Sequence, residues 1–586
     1  MTEVRRAGQE TARRIRIGAL GLLVVIIFGL PHLLTPAVQP RGTVYTPFVP
    51  FGASALVWDE TVLYAPQANY TARTLRPAYD AGIYEYRNRP TVVPTVPNYV
   101  LAPIQWFTGS TVGAFVVADF IFPVLAFFLA IAIARRLGAS EAVATAAAVL
   151  MLIPAQAPRN SVTVVRDVLM GQWTMTQPLE YSRFLAPEFS FTLLLAGLLF
   201  LIGATKSRWQ SVMAGVTGGL MFYTYLYCWT VWVTGCLLLL GWTVVAKGRV
   251  ERNYVVVNVV TWLCGIPFWI GYLRFVRSGA YEAVTHRMSW TIGHVPEVET
   301  IATTVVCLMA IAVAGRLSRG NENAKVLIIF ILGGVVAYNG QIILGRTFES
   351  FHFPNRFFQP TFALVGAACL GREAERRWPR RTERGAWLLV ACVLALGAAR
   401  QAGVSIHTAS LHALDPGSES LFVWLRANGK PDEVVLTSDE SLNYILPIYT
   451  TQFVYLPFCI LTSAPDSELA ERFLITLRLL GYNVEYMGRQ VARSAFDTRR
   501  SHVSWSFHLF RKHWLEENDI IQLGERWGRV TFPQALSRYR VDYVIRSPRD
   551  PATRESLEAN GLRRVGEGRF GEIYRVDNRS GARGKS

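Results

Sequence analysis

Residues 209–246, WQSVMAGVTGGLMFYTYLYCWTVWVTGCLLLLGWTVVA, contain no charged side chain. A helix that crosses a bilayer takes about 20 apolar residues, because hydrocarbon offers backbone N–H and C=O groups no partner outside the helix itself. The run is too long for one crossing and predicts two helices divided near Tyr227. Tyr223, Tyr225, Tyr227 and Trp229 cluster at the division, as amphipathic rings do at a membrane interface. Outward from this stretch, further apolar runs occur near 17–34, 111–134, 140–158, 189–204, 254–274, 299–315, 325–344, 358–372 and 386–402. With the divided run they make about eleven transmembrane helices. Of the whole chain, 51% is hydrophobic and 17% charged, against roughly a quarter charged in a soluble protein. Residues 1–402 therefore read as a polytopic α-helical membrane domain, and 403–586 as a soluble one.

The net charge of +17 does not point to nucleic acid, because the basic residues fall between the apolar runs. Arg5, Arg6, Arg13, Arg14 and Arg16 precede the first run. Arg135 and Arg136, Lys206 and Arg208, Lys247 to Arg252, Arg316 to Lys325, and Arg372 to Arg384 then mark alternate connections. Excess Lys and Arg on cytoplasmic loops sets topology, so the N-terminus is expected in the cytoplasm and, after eleven crossings, the C-terminal domain outside the cytoplasmic (inner) membrane. No small-residue cleavage site follows residues 17–34, which read as an uncleaved first helix. Six of the seven cysteines lie inside apolar runs and Cys459 stands alone, with no CxxC or disulfide framework.

The outer connections are 35–110, 159–188, 275–298 and 345–357. They are longer than the inner ones and richer in Asp, Glu, His and aromatic residues, and 35–110 is the largest. In the tail, DEVVLTSD (432–439) and YRVDYVIRSP (539–548) read as buried strands, SELAERFLITLRLLGY (467–482) as an amphipathic helix and FGEIYRV as a final strand, an α/β pattern. It contains no glycine-rich phosphate loop, zinc spacing or nucleophile elbow.

Polar groups gathered on one face of a bundle mark that face as the place for a site. In ALVWDETVLYAPQANY (55–70), Asp59 and Glu60 follow Trp58, and Pro66 is expected to interrupt a short helix. A carboxylate partly desolvated by aromatics at a bilayer surface gains proton affinity and becomes a usable general base. The same residues also suit a solvated helix start capped by Asp59. In GRTFESFHFPNRFFQP (345–360), His352 and Arg356 are four apart, with Pro354 expected to open the helix. Arg356 there also fits interfacial snorkelling.

One transmembrane helix followed by a large extracytoplasmic loop with an acidic pair resembles the GT-C superfamily of membrane glycosyltransferases, which includes protein mannosyltransferases and the aminoarabinose transferases of lipid A. The resemblance extends over the whole chain, and the 345–360 stretch resembles a TG…H…R segment of uncharacterised bacterial members. It implies a GT-C-like fold and an inverting glycosyltransferase that takes its sugar from a polyprenyl-phosphate donor and passes it to a glycan, lipid or protein acceptor. Asp59 would be the base and Glu60 its partner. Arg356, with His352, Arg346 or Arg183, would hold the donor phosphate, which a planar guanidinium fork suits. Asp167 matches the acidic residue that members often carry in the second outer loop, with Glu180 and Glu188 as substitutes. A Glu180–Arg183 surface pair is the plainer reading of that loop. Some members bind a divalent cation through carboxylates and others bind none. No spacing here demands a metal, and His286 and His294 are its weak candidates. Besides the enzyme, the pattern admits a transporter or flippase of lipid-linked saccharide, a non-catalytic envelope-assembly protein, and a polysaccharide polymerase or ligase.

Overall fold

The computed structural model describes residues 2–48, 64–77, 82–89, 95–153, 158–172, 178–182, 188–287, 291–347, 352–457, 459, 462–483, 522, 536 and 538–577. The chain divides into two compact units. One takes Met1–Val38, Phe115–Trp269 and Thr291–Ala409; the other takes Gln39–Ala114, Ile270–Trp290 and Ser410–Ser586.

Eleven helices stand where the apolar runs predict them. They are α1 Thr2–Val38, α2 Thr111–Arg136, α3 Glu141–Leu152, α4 Ser190–Gly203, α5 Arg208–Met221, α6 Leu226–Lys247, α7 Arg252–Val276, α8 Val298–Leu317, α9 Glu322–Tyr338, α10 Gln359–Arg377 and α11 Pro379–His407. Among the described residues seven are long and apolar enough to cross a membrane: α1, α2, α6, α7, α8, α9 (extended to Leu344) and α11. The other four differ for physical reasons. α3, α4 and α5 have 12, 14 and 14 residues, or roughly 20 Å at 1.5 Å per residue, short of a core about 30 Å thick. The last turns of α10 carry Arg372, Glu373, Glu375, Arg376 and Arg377. The long apolar run breaks at Phe222–Tyr225, slightly ahead of Tyr227, where Tyr225 leaves the helical region (φ −119, ψ 130) to open α6.

Burial explains the short helices. α3 is buried along nearly its whole length and packs between α10 and α11. Its alanines, together with Gly371 of α10 facing Val143, allow the close approach that membrane helices use in place of a hydrophobic drive. α6 and α9 cross backbone to backbone. A Cβ on Gly333 would lie 2.3 Å from the Gly235 Cα, and Thr234 donates to the Gly333 carbonyl at 2.8 Å. Within the same unit, His32 Nε2 of α1 meets Asp119 Oδ2 of α2 at 2.9 Å, with both side chains buried. That is an ionisable pair inside two apolar runs.

The second unit holds a five-stranded sheet of β1 Val434–Thr437, β2 Phe453–Val454, β3 Tyr543–Arg546, β4 Leu562–Gly568 and β5 Gly571–Val576. Its order is β2-β1-β3-β5-β4. β1 runs parallel to β2 and β3, while β5 is antiparallel to β3 and β4. The fully buried β1 is a continuous apolar run, as a central parallel strand should be. The helix expected at 467–482 is Asp466–Leu479. Described parts of 39–114 belong to this unit's core. Tyr70, Ile83 and Tyr86 join its largest apolar cluster. Asn69 Nδ2 donates to the Pro447 and Thr450 carbonyls, each at 2.8 Å. Arg472 is held between Glu85 and Glu468 at 2.9 and 2.8 Å. Pro66 starts the helix Ala65–Thr74 and does not interrupt it, since an N-terminal position needs no N–H donor.

Candidate functional site

Gly345, at φ +64, turns the chain out of the short helix Gln341–Leu344. Arg346 and Thr347 then pair with Ile292 and Thr291 as a small antiparallel ladder. Where the described chain continues, His352 and Phe353 are already helical and lead through a wide turn, Pro354–Phe358, whose bonds span five residues, into α10. Pro354 sits in the first turn, where its missing N–H is harmless. The helix therefore begins ahead of the proline and not at it. Wide turns of this kind recur at functional positions, and this one leaves His352 and Arg356 about one turn apart.

Both side chains converge on Tyr225, in the break between α5 and α6. The Tyr225 hydroxyl lies 2.7 Å from His352 Nδ1, and Arg356 Nη1 donates to the same oxygen. The guanidinium carbon stands 4.9 Å from the centre of the Tyr225 ring, within the range of cation–π attraction. A phenol placed between them accepts from the arginine and can donate its own proton to Nδ1, which leaves the remaining guanidinium N–H groups for other acceptors. Tyr227 walls the other side, its ring 5.2 Å from His352 and 4.8 Å from Phe353. The cleft here is lined by Ser190, Phe191 and Leu194 of α4, by Tyr225, Tyr227 and Cys228, and by Arg356 and Phe357. Arg356, His352 and Tyr225 are all partly buried. The Arg356 guanidinium thus meets a small recess walled by aromatic and aliphatic side chains and by the hydroxyls of Ser190, Tyr225 and Tyr227, with His352 reaching it through the Tyr225 hydroxyl. In such low-dielectric surroundings a guanidinium binds an anion more strongly than in water.

The other expected residues are distributed as follows. Arg346 is exposed on its short strand and does not line the cleft. Asp167, in the helix Pro158–Met170, is 1% exposed and paired with its neighbour Arg166 at 3.0 Å. Glu188 is fully buried just ahead of α4, whose Ser190 lines the cleft. Asp59, Glu60 and Arg183 lie outside the described residues, as do the side chains of Glu180 and His286. His294 Nδ1 bonds the Ile342 carbonyl at 3.0 Å. Among the described residues no three His, Cys, Asp or Glu side chains gather closely enough to hold a metal. Sequence reasoning missed Tyr225 as a site residue. Its signal was present in the aromatic cluster at the divided run, which was assigned to interfacial anchoring alone. The His32–Asp119 pair was also missed, because each residue is isolated in an apolar run.

No protein-family model matches the chain, and no curated protein matches it in sequence. Solved structures do. ArnT from Cupriavidus metallidurans bound to undecaprenyl phosphate superposes with a TM-score of 0.51 at 11% identity, over 96% of this chain and 98% of that one. The same protein in the apo state gives 0.48 at 12%, over 97% and 98%. The oligosaccharyltransferase AglB from Archaeoglobus fulgidus, in complex with an inhibitory peptide and a dolichol-phosphate, gives 0.44 at 13%, over 96% and 74%. At this identity the likeness to the first establishes fold alone. The chain is a polytopic helical protein of GT-C-like fold with a β-containing C-terminal region.

Proposed function

We propose that this GT-C-like chain is an integral membrane glycosyltransferase that transfers a sugar from a polyprenyl-phosphate donor to an envelope glycan, lipid or protein acceptor at the outer face of the cytoplasmic membrane. The observation that carries the reading is the convergence of Arg356 and His352 on the Tyr225 hydroxyl in an apolar recess among membrane helices. A lipid-linked donor brings its phosphate to such a place, and the ArnT structure that shares the fold holds undecaprenyl phosphate. Asp59, with Glu60 beside it, takes the proton from an acceptor hydroxyl as that oxygen attacks the anomeric carbon. The bond between that carbon and the phosphate oxygen breaks with inversion. The lipid phosphate leaves with the electron pair, and the guanidinium of Arg356 stabilises the charge as it grows. Arg183 is a supplementary phosphate ligand in this scheme, and Asp167 a second acid. The N-terminus is cytoplasmic and the domain from 403 onward extracytoplasmic.

The test is transfer from a polyprenyl-phosphate sugar by the purified chain in lipid. Asp59→Asn is expected to lower turnover by at least about 100-fold, the usual contribution of a general base, while leaving the protein monodisperse. Near-normal turnover would sink the base assignment. Arg356→Ala is expected to raise the KM for the donor most, and an unchanged KM would remove the phosphate role.

One observation favours a second reading, a transporter or flippase of lipid-linked saccharide. His32 and Asp119 are buried together between α1 and α2, and ionisable groups inside spans commonly mark transport paths. Flipping of labelled lipid by proteoliposomes, lost in Asp119→Asn and unaccompanied by sugar transfer, would select it over the enzyme.

A further inference from the structure

A second cavity of about 700 Å³ opens at the far end of α6, lined by Trp242 and Thr243. Those residues lie roughly 25 Å along the helix from Tyr225 at 1.5 Å per residue, so the cavity is separate from the recess described above. Six cationic side chains line it, Arg136, Lys206, Arg319, Lys325, Arg372 and Arg376, against one carboxylate, Glu322. Lys325 is matched by Glu322 at 2.6 Å and Arg376 by Glu373 at 3.6 Å. Among the described residues, Arg136, Lys206 and Arg319 have no ion-pair partner.

Capping of helix ends does not absorb these charges. The carbonyls at the end of α2 are taken by Asn321 to Leu137, Asn323 to Arg136 and Arg372 Nη1 to Leu137, at 2.8, 2.7 and 3.2 Å. Arg372 Nη2 serves Leu317 at the end of α8 at 3.0 Å. Arg372 is itself only 8% exposed, and its buried Nε has no hydrogen-bond acceptor among the described residues. A guanidinium nine-tenths buried, with a donor left over and like charges around it, is a costly arrangement unless an anion completes it. Ile202, Leu239, Val326 and Ile329 add apolar surface to the lining. Phosphate oxygens match the cationic side chains of the lining and acyl chains match the apolar ones.

We propose that this cavity binds the phosphate of an anionic lipid headgroup. Basic pockets between spans at the cytoplasmic side are a recognised form of headgroup site, and the positive-inside pattern assigns this end of α6 to that side. The site is independent of the glycosyl-transfer reading.

The test uses the full chain reconstituted in phosphatidylcholine with increasing phosphatidylglycerol, read by native mass spectrometry and by thermal stability. Lys206 and Arg319 are exposed and cap nothing, so Lys206→Ala/Arg319→Ala should fold even if Arg372→Ala does not. The double variant is expected to weaken retention of phosphatidylglycerol at least tenfold, the loss for one charge-assisted hydrogen bond. Arg380→Ala/Arg384→Ala, which removes equal charge outside the cavity, is expected to change it little. Equal loss in both doubles, or equal retention of phosphatidylcholine, would overturn the proposal. Stabilisation by inorganic phosphate with no gain from the lipid would place a free phosphate there and overturn the lipid assignment.

Discussion

Tyr225 is the residue on which the proposed site turns, because its hydroxyl meets both the Arg356 guanidinium and the His352 imidazole. Tyr225→Phe keeps the ring that Arg356 lies over and removes only the hydroxyl. Its expected effect is a loss of donor affinity of about 10- to 100-fold, the range for a hydrogen bond to a charged group, with turnover at saturating donor less affected. An unchanged donor KM would show that Arg356 does not depend on the phenol. In the second unit Arg287 has a demanding position. It is fully buried, and its fork reaches Asp466 at 2.7 Å and the carbonyls of Cys459 and Thr462 at 2.9 and 2.8 Å, with Ala464 beside them. Arg287→Ala strands these acceptors, and a loss of about 3–5 kcal/mol is expected from breaking a buried pair, checked by thermal unfolding of that unit's signal. Tyr449 sets an alkaline limit, since burial pushes its phenol up to about 12. An acid whose folded pKa is raised keeps its proton when the unfolded chain has already lost it. The contribution of Tyr449 is therefore complete below about pH 10, the ordinary phenol value, and vanishes as pH rises toward 12. A Tyr449→Phe variant is expected to lose less stability than the parent chain between about pH 10 and 12, measured as the change in thermal midpoint across that window.

At the scale of elements, the crossing of α6 and α9 rests on glycine. Gly333→Leu must force apart two backbones whose separation leaves a Cβ 2.3 Å from Gly235 Cα, and overpacking of this kind costs about 1–3 kcal/mol or more. Gly241→Leu, on the same α6 with open space around it, is the matched control and is expected to leave detergent stability nearly unchanged. All eleven helices were legible in the sequence because each is a continuous apolar run, and desolvation of the backbone leaves such a run little alternative to helix. Their depth was not legible. α3 reads like a spanning segment but has 12 residues, nearly all of them buried, and packs against α10 and α11. Strands β1, β3 and β5 and the helix Asp466–Leu479 were also legible from period and turn residues. The two-residue β2 and the small ladders, such as Arg346 with Ile292, are too short to leave any period. His352 and Arg356 were found because they share one helix. Tyr225 comes from a segment 127 residues from His352, and no local pattern encodes that meeting.

At the scale of the whole molecule, the long connection after α1 groups with the unit that holds the five-stranded sheet. In sequence, 35–110 looks like an independent connection, and the domain boundary falls at 403. The compact unit instead takes in Gln39–Ala114 together with Ser410–Ser586. The described contacts explain why. Arg472, at 1% side-chain exposure, owes one of its two carboxylate partners to Glu85. Glu85 also accepts from the Arg540 backbone at 2.9 Å. Tyr86 donates to Glu468 at 2.6 Å, and the rings of Tyr70 and Tyr84 stand edge-on to Phe453 of β2 at 5.9 and 5.5 Å. Residues 403–586 expressed alone would expose that apolar face and leave a buried guanidinium with Glu468 as its one remaining carboxylate. Such a fragment is expected to lack a cooperative unfolding transition and to bind hydrophobic dye, as a chain does when packing is lost. Adding 39–114 through a flexible linker should restore cooperativity, and Glu85→Ala in the linked form should lower its midpoint, since a buried pair broken on one side costs several kcal/mol. A sharp transition in the 403–586 fragment by itself would mean that the tail folds without the loop, and that the loop contacts are additions to a domain already complete.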